Sequence, residues 1–433
     1  MMNARHLLFA VLFSSYIGAQ VQLPILPKPV AFEEISIEKY TPKALIPNPS
    51  QPTNNLQKRI QRQNQQLMLE VEDYERQKKS KNKLDFNLPS HSNKKGTVFY
   101  RSAFLELSAL NPDDYITKKA LFEVENAFFE KKKKYSLFDQ TISQSADFIL
   151  EKMVELNYDT DNNVAKNLML FRFFSDTLEL KKKQLKHSPF SYDFEDYWGR
   201  KDWEKKFVSK LLRTASGQCN SLPKLYLILA EEIGAEAFLS FSPNHSYIKF
   251  TDGHENWYNV ELTNGMFTTE SFILQSGFIK AEAIQKGIYM QQMSKRQLLS
   301  QFFVELASGY IWKYGYDDFV YEVTQKALQL YPNSITANMV YANFLTTQFE
   351  HAAKMVGINP RDRKQLQNIN VYPELVEMLN MTNAQYTKLD ELGHEHMTAK
   401  DYENWLNKLQ EAKQKQDNEL YKKVLYDNAK TKG

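Results

Sequence analysis

The chain has 433 residues, of which 42% are hydrophobic and 25% are charged, and its formal net charge is +3. Its single cysteine excludes a disulfide scaffold, and the near balance of charge argues against a dedicated nucleic-acid-binding protein. We expect no membrane span, because no later stretch reaches the roughly 18 apolar residues that a spanning helix requires. At roughly 150 residues per domain, the length predicts two or three folded units.

The N-terminal segment has the order of a secretory signal peptide. Arg5 precedes an apolar run over 7–17, and the small residues Gly18 and Ala19 follow. This order predicts a signal peptide over 1–19 that is cut after Ala19. We therefore expect the mature protein to be secreted or periplasmic.

Proline use separates the next segment from the rest of the chain. Seven of the fifteen prolines lie within 24–52, so we expect an extended linker over 20–55. Residues 56–97 are predicted to form a helix and a charged linker. The seven-residue spacing of Ile60 and Leu67 fits a short coiled-coil seam or a single amphipathic helix lying on the body of the protein. With fewer than three heptads, we favour the single helix.

Helical patterning dominates the remainder of the chain. From 98 to 212 the apolar spacing is helical, which predicts an all-helical region there. Helical patterning resumes after Gly265. The segment 326–333 looks like the end of a tetratricopeptide repeat, although the 34-residue period is not met again. These features predict an array of helical hairpins over 290–360.

Cys219 stands just before a helix. The apolar residues of 222–233 fall on one helical face, and Gly234 is suited to end that helix. The helix N-terminus favours a thiolate, as a sulfur nucleophile requires, and its N–H groups with the side chain of Gln218 or Asn220 are suited to hold an oxyanion. The competing interpretation is a small buried cysteine used only for packing.

Two strands follow, over 245–250 and 257–262, joined by a run of turn-forming residues. They predict an antiparallel hairpin. Alternation places Ile248 and Phe250 of the first strand with Tyr258 and Val260 of the second on one apolar face, so that the two polar faces also coincide.

The predicted register gives His245 a polar partner. If paired residue numbers sum to 506, His245 lies opposite Glu261, and if they sum to 504 it lies opposite Asn259. Both registers complete a Cys-His-(Glu or Asn) arrangement with Cys219. We favour Glu261, because the 504 register would draw poor strand formers into the ladder. His254 is a competing base, but its position in the turn predicts exposure.

These motifs resemble the transglutaminase-like superfamily of papain-like fold. Residues 217–219 with the following helix look like its nucleophile helix, 243–245 like its histidine motif, and 257–263 like the strand that carries its acid. The resemblance is strongest to bacterial members in which tetratricopeptide-like helices follow. The usual third residue is an aspartate, whereas Glu261 stands here, so Asn259 is kept as an alternative.

The resemblance implies an α+β fold. We expect a helix-rich papain-like domain with a small antiparallel sheet over 98–290, followed by an all-α repeat-like domain over 291–433. It also implies acyl transfer through a thioester, with Cys219, His245 and Glu261 as catalytic residues. The supporting residues are Gln218, Asn220 and Asn259.

We therefore predict an exported cysteine peptidase, amidase or transglutaminase-like enzyme that acts on a peptide or protein. The alternative is a non-catalytic scaffold on the same fold, with a protein partner on the C-terminal helices. An open groove beside Cys219 favours the enzyme, and deep burial of this residue favours the scaffold. No cofactor or metal is expected, because His394 and His396 lie two residues apart on a helical stretch and so face different ways.

Overall fold

The computed structural model describes part of the chain. The described residues are 62, 64–70, 85–254 and 256–414. The described residues are 58% helical and include small sheets, which confirms an α+β fold for this part of the chain. Within this part no helix is both long and apolar enough to cross a membrane. The predicted signal peptide and proline-rich linker lie outside the described residues.

The helix predicted after the linker is described only in part. Residues 64–70 are helical, but all of them are exposed, and Leu67 is 62% accessible. The prediction that this helix packs on the body of the protein is therefore wrong for residues 64–70. Its apolar residues Leu67, Met68 and Leu69 are consecutive, so they point in different directions around the helix and form no single apolar face.

Four helices begin the body of the protein. They are α1 (Thr97–Ser108), α2 (Thr117–Phe128), α3 (Tyr135–Glu155) and α4 (Asn163–Ser175). The α2 residues Leu121 and Val124 are buried, as their spacing predicts. Asn162 caps α4 by accepting a hydrogen bond from the Ala165 backbone N–H at 2.9 Å.

The prediction of an all-helical region over 98–212 is wrong after α4. Three short strands follow: β1 (Leu178–Leu180), β2 (Leu185–His187) and β3 (Ser191–Tyr192). Leu178 and Leu180 are buried while Glu179 between them is exposed, which is the two-residue period of a strand. This alternation is too short to stand out among the helical segments around it.

The central elements confirm the predicted helix and hairpin. In chain order they are a 3₁₀ turn (Trp203–Lys206), α5 (Val208–Thr214), β4 (Ser216–Gly217), α6 (Ser221–Glu232), β5 (Phe238–Ser242), β6 (His245–Thr251), β7 (Trp257–Glu261) and β8 (Met266–Thr268). Strands β5 to β8 form an antiparallel sheet in that order, and β3 pairs in parallel with β4. Helix α6 packs on β5 and β6.

The register of the β6–β7 hairpin differs from both predicted registers. Ile248 pairs with Val260 and Phe250 with Tyr258, so the numbers sum to 508. The shared apolar face is confirmed, but the 506 and 504 registers are wrong. The reason lies in the turn, where the Asp252 carboxylate accepts hydrogen bonds from the backbone N–H groups of His254 at 2.8 Å and Asn256 at 3.2 Å. These bonds organise a longer loop than either prediction allows.

Helices make up the rest of the described chain. They are α7 (Glu270–Leu274), α8 (Ala281–Gln285), α9 (Lys295–Tyr314), α10 (Asp318–Leu330), α11 (Ile335–Met355), α12 (Arg363–Leu366), a 3₁₀ turn (Gln367–Val371), α13 (Pro373–Glu391) and α14 (Ala399–Gln414). Helices α9, α10 and α11 pack in sequence, and α9 also packs on α1 and α2. One hydrophobic core accordingly runs from α1 to Leu409 of α14, across the predicted boundary at 290.

Candidate active site

Cys219 lies between β4 and the first turn of α6, as the sequence predicts. Gly217 allows the close packing needed here, because a Cβ atom on it would lie 2.9 Å from the Leu211 side chain and 2.8 Å from the Ser221 hydroxyl. The Ser246 hydroxyl donates a hydrogen bond to the Cys219 carbonyl, which ties the nucleophile segment to β6. The Cys219 side chain is partly exposed.

His245 is the first residue of β6. The β5–β6 hairpin turns through Pro243 and Asn244, and Asn244 adopts a positive φ of 58° that asparagine tolerates better than most residues. The Tyr402 hydroxyl lies 3.5 Å from both His245 Nδ1 and Cys219 Sγ, so the imidazole and the sulfur share one neighbour. The hairpin turn therefore delivers the imidazole to the sulfur at the start of α6.

Glu261 holds the other side of the imidazole. His245 Nε2 lies 2.7 Å from Glu261 Oε2, and the second carboxylate oxygen accepts a hydrogen bond from the Thr263 backbone N–H at 2.8 Å. Both side chains are almost fully buried. The observed β6–β7 pairs end at Ile248 and Val260, and continuing this register by one residue sets Glu261 opposite Tyr247, so Glu261 reaches His245 diagonally. The longer side chain of glutamate suits this diagonal reach.

The three groups shift one another's pKa values. Burial lowers the pKa of His245, but the Glu261 charge and hydrogen bonds to Cys219 and Glu261 raise it overall, to about 10. Burial raises the pKa of Cys219, but the hydrogen bond and charge of His245 lower it below the ordinary thiol value. Burial also raises the pKa of Glu261, and His245 more than offsets this. The arrangement favours a thiolate beside an imidazolium.

The three residues predicted to support catalysis lie in different surroundings. The Gln218 side chain is buried and donates a hydrogen bond to the Asp196 carbonyl, so its amide is already engaged. Asn220, the residue after Cys219, lines a cavity. Asn259 lies opposite Lys249 and donates to the Thr268 carbonyl at 3.3 Å, away from His245.

His254 is exposed in the β6–β7 turn and is not part of the buried group. Across residues 85–254 and 256–414, no cluster of three or more His, Cys, Asp or Glu side chains has the geometry to hold a metal ion.

Two residues that the sequence did not single out cover the site. The Tyr402 hydroxyl of α14 lies 3.5 Å from Cys219 Sγ and 3.5 Å from His245 Nδ1. The Trp405 ring packs edge-on against the imidazole, with the ring centroids 4.5 Å apart. Burial raises the pKa of Tyr402 well above its ordinary value, so the phenol keeps its proton and is able to donate to the sulfur. No linear pattern connects this distant helix to Cys219.

The access to Cys219 falls between the two predicted extremes. The residue is not fully buried, but Tyr402 lies over its sulfur. A cavity of about 240 Å³ is lined by Asn220, the next residue in the chain, but not by Cys219 itself. Comparison with known proteins adds no further constraint: no family model, no curated protein and no solved structure matches this chain.

Proposed function

We propose that this protein is a cysteine acyl-transfer enzyme of papain-like, transglutaminase-like type. Cys219 is its nucleophile, His245 its general base and acid, and Glu261 the carboxylate that orients and charges the imidazole. The observation that carries the proposal is the buried 2.7 Å contact between His245 Nε2 and Glu261 Oε2, made by the ring whose other nitrogen lies 3.5 Å from the Tyr402 hydroxyl that also contacts Cys219 Sγ. This order of thiol, imidazole and carboxylate is that of an activated nucleophile.

The reaction proceeds in two balanced halves. The Cys219 thiolate attacks the carbonyl carbon of a peptide or side-chain amide, and a C–S bond forms. As the tetrahedral intermediate collapses, the C–N bond breaks and His245 gives its proton to the leaving amine. Water, or a second amine, then attacks the thioester and gives its proton to His245. The C–S bond breaks, and an acid or a new amide leaves.

Backbone N–H groups at the start of α6 are the main donors for the oxyanion. Asn220 is the better placed of the two predicted side-chain donors, because Gln218 already donates to the Asp196 carbonyl. The roles of Gln218 and Asn259 are therefore structural in this proposal. Gln218 ties the nucleophile segment to the loop at Asp196, and Asn259 ties β7 to β8.

Thiol labelling across pH is the direct test. Because the pKa of Cys219 is lowered, we expect alkylation by iodoacetamide to persist below pH 7, with a midpoint well under the value of about 8.5 for an unperturbed thiol. The Cys219→Ala variant must not be labelled, and it must lose hydrolysis of a panel of model amides. A midpoint at or above about 8.5 would remove the nucleophile assignment.

One observation favours a second candidate, a non-catalytic scaffold. Tyr402 and Trp405 lie over Cys219 and His245, so α14 occupies the side from which a substrate carbonyl must approach. A scaffold would show a lowered thiol pKa but no turnover of any amide, even when Tyr402 is removed. Turnover that depends on Cys219 excludes this candidate.

We also propose that the protein is exported and that helices α9 to α11 form a tetratricopeptide-like region for a protein partner. The support is the sequence order over 1–19 and the successive helical hairpins after the sheet. Mass measurement on protein from its native host tests export, with Gln20 as the expected first residue. An intact Met1 would contradict it.

A further inference from the structure

A cavity of about 240 Å³ separates the nucleophile segment from the C-terminal helices. Helices α9, α11 and α13 form one side, and the 3₁₀ turn 203–206 with Asn220 forms the other. Much of the lining is apolar, and it includes Val304, Ile311, Met339 and Leu389. Cys219 does not line the cavity, but its neighbour Asn220 does, and the charge of Lys206 on the cavity wall interacts with that of Cys219.

The charges around this cavity do not balance. Glu305 is neutralised by Lys224, whose Nζ lies 2.6 Å from its carboxylate, and it also accepts a hydrogen bond from Gln301 at 3.3 Å. Lys206 has neither an ion pair nor a hydrogen bond to any described residue, and its Nζ lies 3.9 Å from the centroid of the Trp203 ring. The cavity wall thus carries one positive charge without a partner carboxylate.

The Lys206 side chain is held in place and is not a loose surface group. Gly199 has a φ of +60°, and a Cβ atom on it would lie 2.8 Å from Lys206 Cε. The lysine stem therefore runs across a position that only glycine leaves open, with Trp203 on its other side. Burial lowers the pKa of Lys206 to about 8, and the nearby charges of Cys219 and Glu305 offset this only in part.

We propose that this cavity binds the carboxyl-terminal residue of a peptide substrate, with the terminal carboxylate paired to Lys206 and an apolar side chain against α9 and α11. The substrate class is then a peptide that is cut close to its carboxyl end. This inference rests on the proposed function for its link to catalysis, but the binding site itself does not.

The size and chemistry of the cavity favour a chain end over an internal segment. Its volume lies just below the roughly 300–1,000 Å³ of sites that enclose a whole small ligand. It therefore suits one end of a substrate whose remainder lies elsewhere. A carboxylate on the last residue supplies the missing anion and places the preceding amide towards Asn220 and Cys219.

The test is a binding comparison on the full chain with Cys219→Ala, so that no turnover occurs. The probes are acetyl-Ala-Leu with a free carboxylate, the same peptide as its terminal amide, and acetyl-Asp-Leu-amide, which carries its carboxylate on a side chain. We expect the free acid to bind about tenfold more tightly than the terminal amide, the ratio typical of one added charge-assisted contact. The side-chain acid should bind like the amide.

Variants of Lys206 assign the preference to one residue. Lys206→Met should abolish the preference for the free acid, and Lys206→Arg should retain it. Lys201→Met is the matched control, because Lys201 is an exposed lysine nearby that does not line the cavity. Because each ratio compares two peptides on the same protein, a partial loss of folded protein does not change it.

The outcomes separate this inference from the proposed function. Equal binding of acid and amide by the parent protein, or equal binding of the two acids, overturns the inference. A preference that survives in Lys206→Met also overturns it. If the preference depends on Lys206 but the unmodified protein cleaves no peptide, the inference stands and the proposed function fails.

Discussion

The charged groups on the sheet side of Cys219 are paired with each other, whereas Lys206 on the helical side has no ion-pair partner in the described part of the chain. On the sheet side, His245 and Glu261 are buried and paired with each other, and the carboxylate is also fixed by the Thr263 backbone. On the helical side, the cavity holds an ammonium group of Lys206 without an anionic partner. A closed, fully paired group is suited to hold one protonation state. An unpaired charge in a cavity is suited to receive a ligand.

This difference predicts that substitutions in the two regions affect different measured quantities. Changes on the sheet side should alter the thiol pKa and the rate of the chemical step, because these residues set the charge on the imidazole. Changes around Lys206 should mainly alter binding, and loss of its charge, which interacts with that of Cys219, should raise the thiol pKa by less than loss of His245 does. Four variants test the sheet side and its cover, from the largest expected effect to the smallest.

His245→Gln should have the largest effect. It removes both the proton carrier and the positive charge that stabilises the thiolate, so we expect amide hydrolysis to fall by about 1,000-fold or more. The thiol pKa should return towards about 8.5. Rate measurement and alkylation across pH check both expectations. His254→Gln is the matched control, and an equal loss in that variant would contradict the assignment of His245.

Glu261→Gln comes next, with an expected rate loss of about 100-fold. Loss of the carboxylate lowers the pKa of His245 from about 10, so the imidazolium no longer persists and the thiol pKa rises. Glu261 also repels the thiolate directly, but this effect is smaller than the contribution of His245. Activity in the parent protein should therefore persist from below pH 7 and decline as pH rises through about 10, where His245 loses its proton.

Asn259→Ala is the control for Glu261. Asn259 bonds the Thr268 carbonyl and does not contact His245, so the thiol pKa should not change. The two variants are compared at equal folded fraction, because both residues lie inside the sheet. Equal, small effects from both would mean that neither residue orients the imidazole and that the trio is a coincidence of spacing.

The sequence predicts much of the sheet side because its signals are local. The helix after Cys219 and the hairpin after His245 follow from periods of 3.6 and 2, and parity alone places Glu261 and His245 on one face. The register of the two strands, in contrast, does not follow from these periods. It depends on how the Asp252 carboxylate organises the turn, and a shift of two residues leaves the apolar face unchanged while moving every pair.

The sequence could not predict that α14 covers the site, nor that a cavity lies at Lys206, because both depend on contacts between distant segments. Tyr402 contacts Cys219 although 183 positions separate them in sequence. The cavity is lined by Lys206 together with residues of helices α9, α11 and α13. Such contacts are set by how helices pack in three dimensions, and helix spacing reveals which face is buried but not against what. The strand β1 was missed because only Leu178 and Leu180 carry its alternation.

Tyr402→Ala should expose the thiol. Removal of the ring opens the space over Cys219 Sγ, so we expect a bulky maleimide to label the thiol about tenfold faster than in the parent protein. This ratio corresponds to about 1.4 kcal/mol, which is typical of the free energy of a local opening. Tyr402→Phe keeps the ring and should gain little access, while its thiol pKa rises because a hydrogen bond to the thiolate is lost. Labelling rates measured with small and bulky reagents separate the two effects. Equal rates for all three proteins would show that α14 does not cover the sulfur in solution.

Ser246→Ala should have the smallest effect, and on stability more than on chemistry. The Ser246 hydroxyl donates to the Cys219 carbonyl, so its removal leaves a carbonyl with one partner fewer at the start of α6. We expect the free energy of unfolding to fall by about 1 kcal/mol, measured by urea denaturation. The thiol pKa should shift little, because the hydroxyl touches the backbone and not the sulfur. Ser300→Ala is the matched control, because the buried Ser300 hydroxyl also donates to a backbone carbonyl, that of Ala327 at 2.8 Å, and does not contact the candidate active site. A large fall in the amide-hydrolysis rate of Ser246→Ala at unchanged stability would mean that Ser246 acts on the reacting groups, and the sheet side would then extend beyond His245 and Glu261.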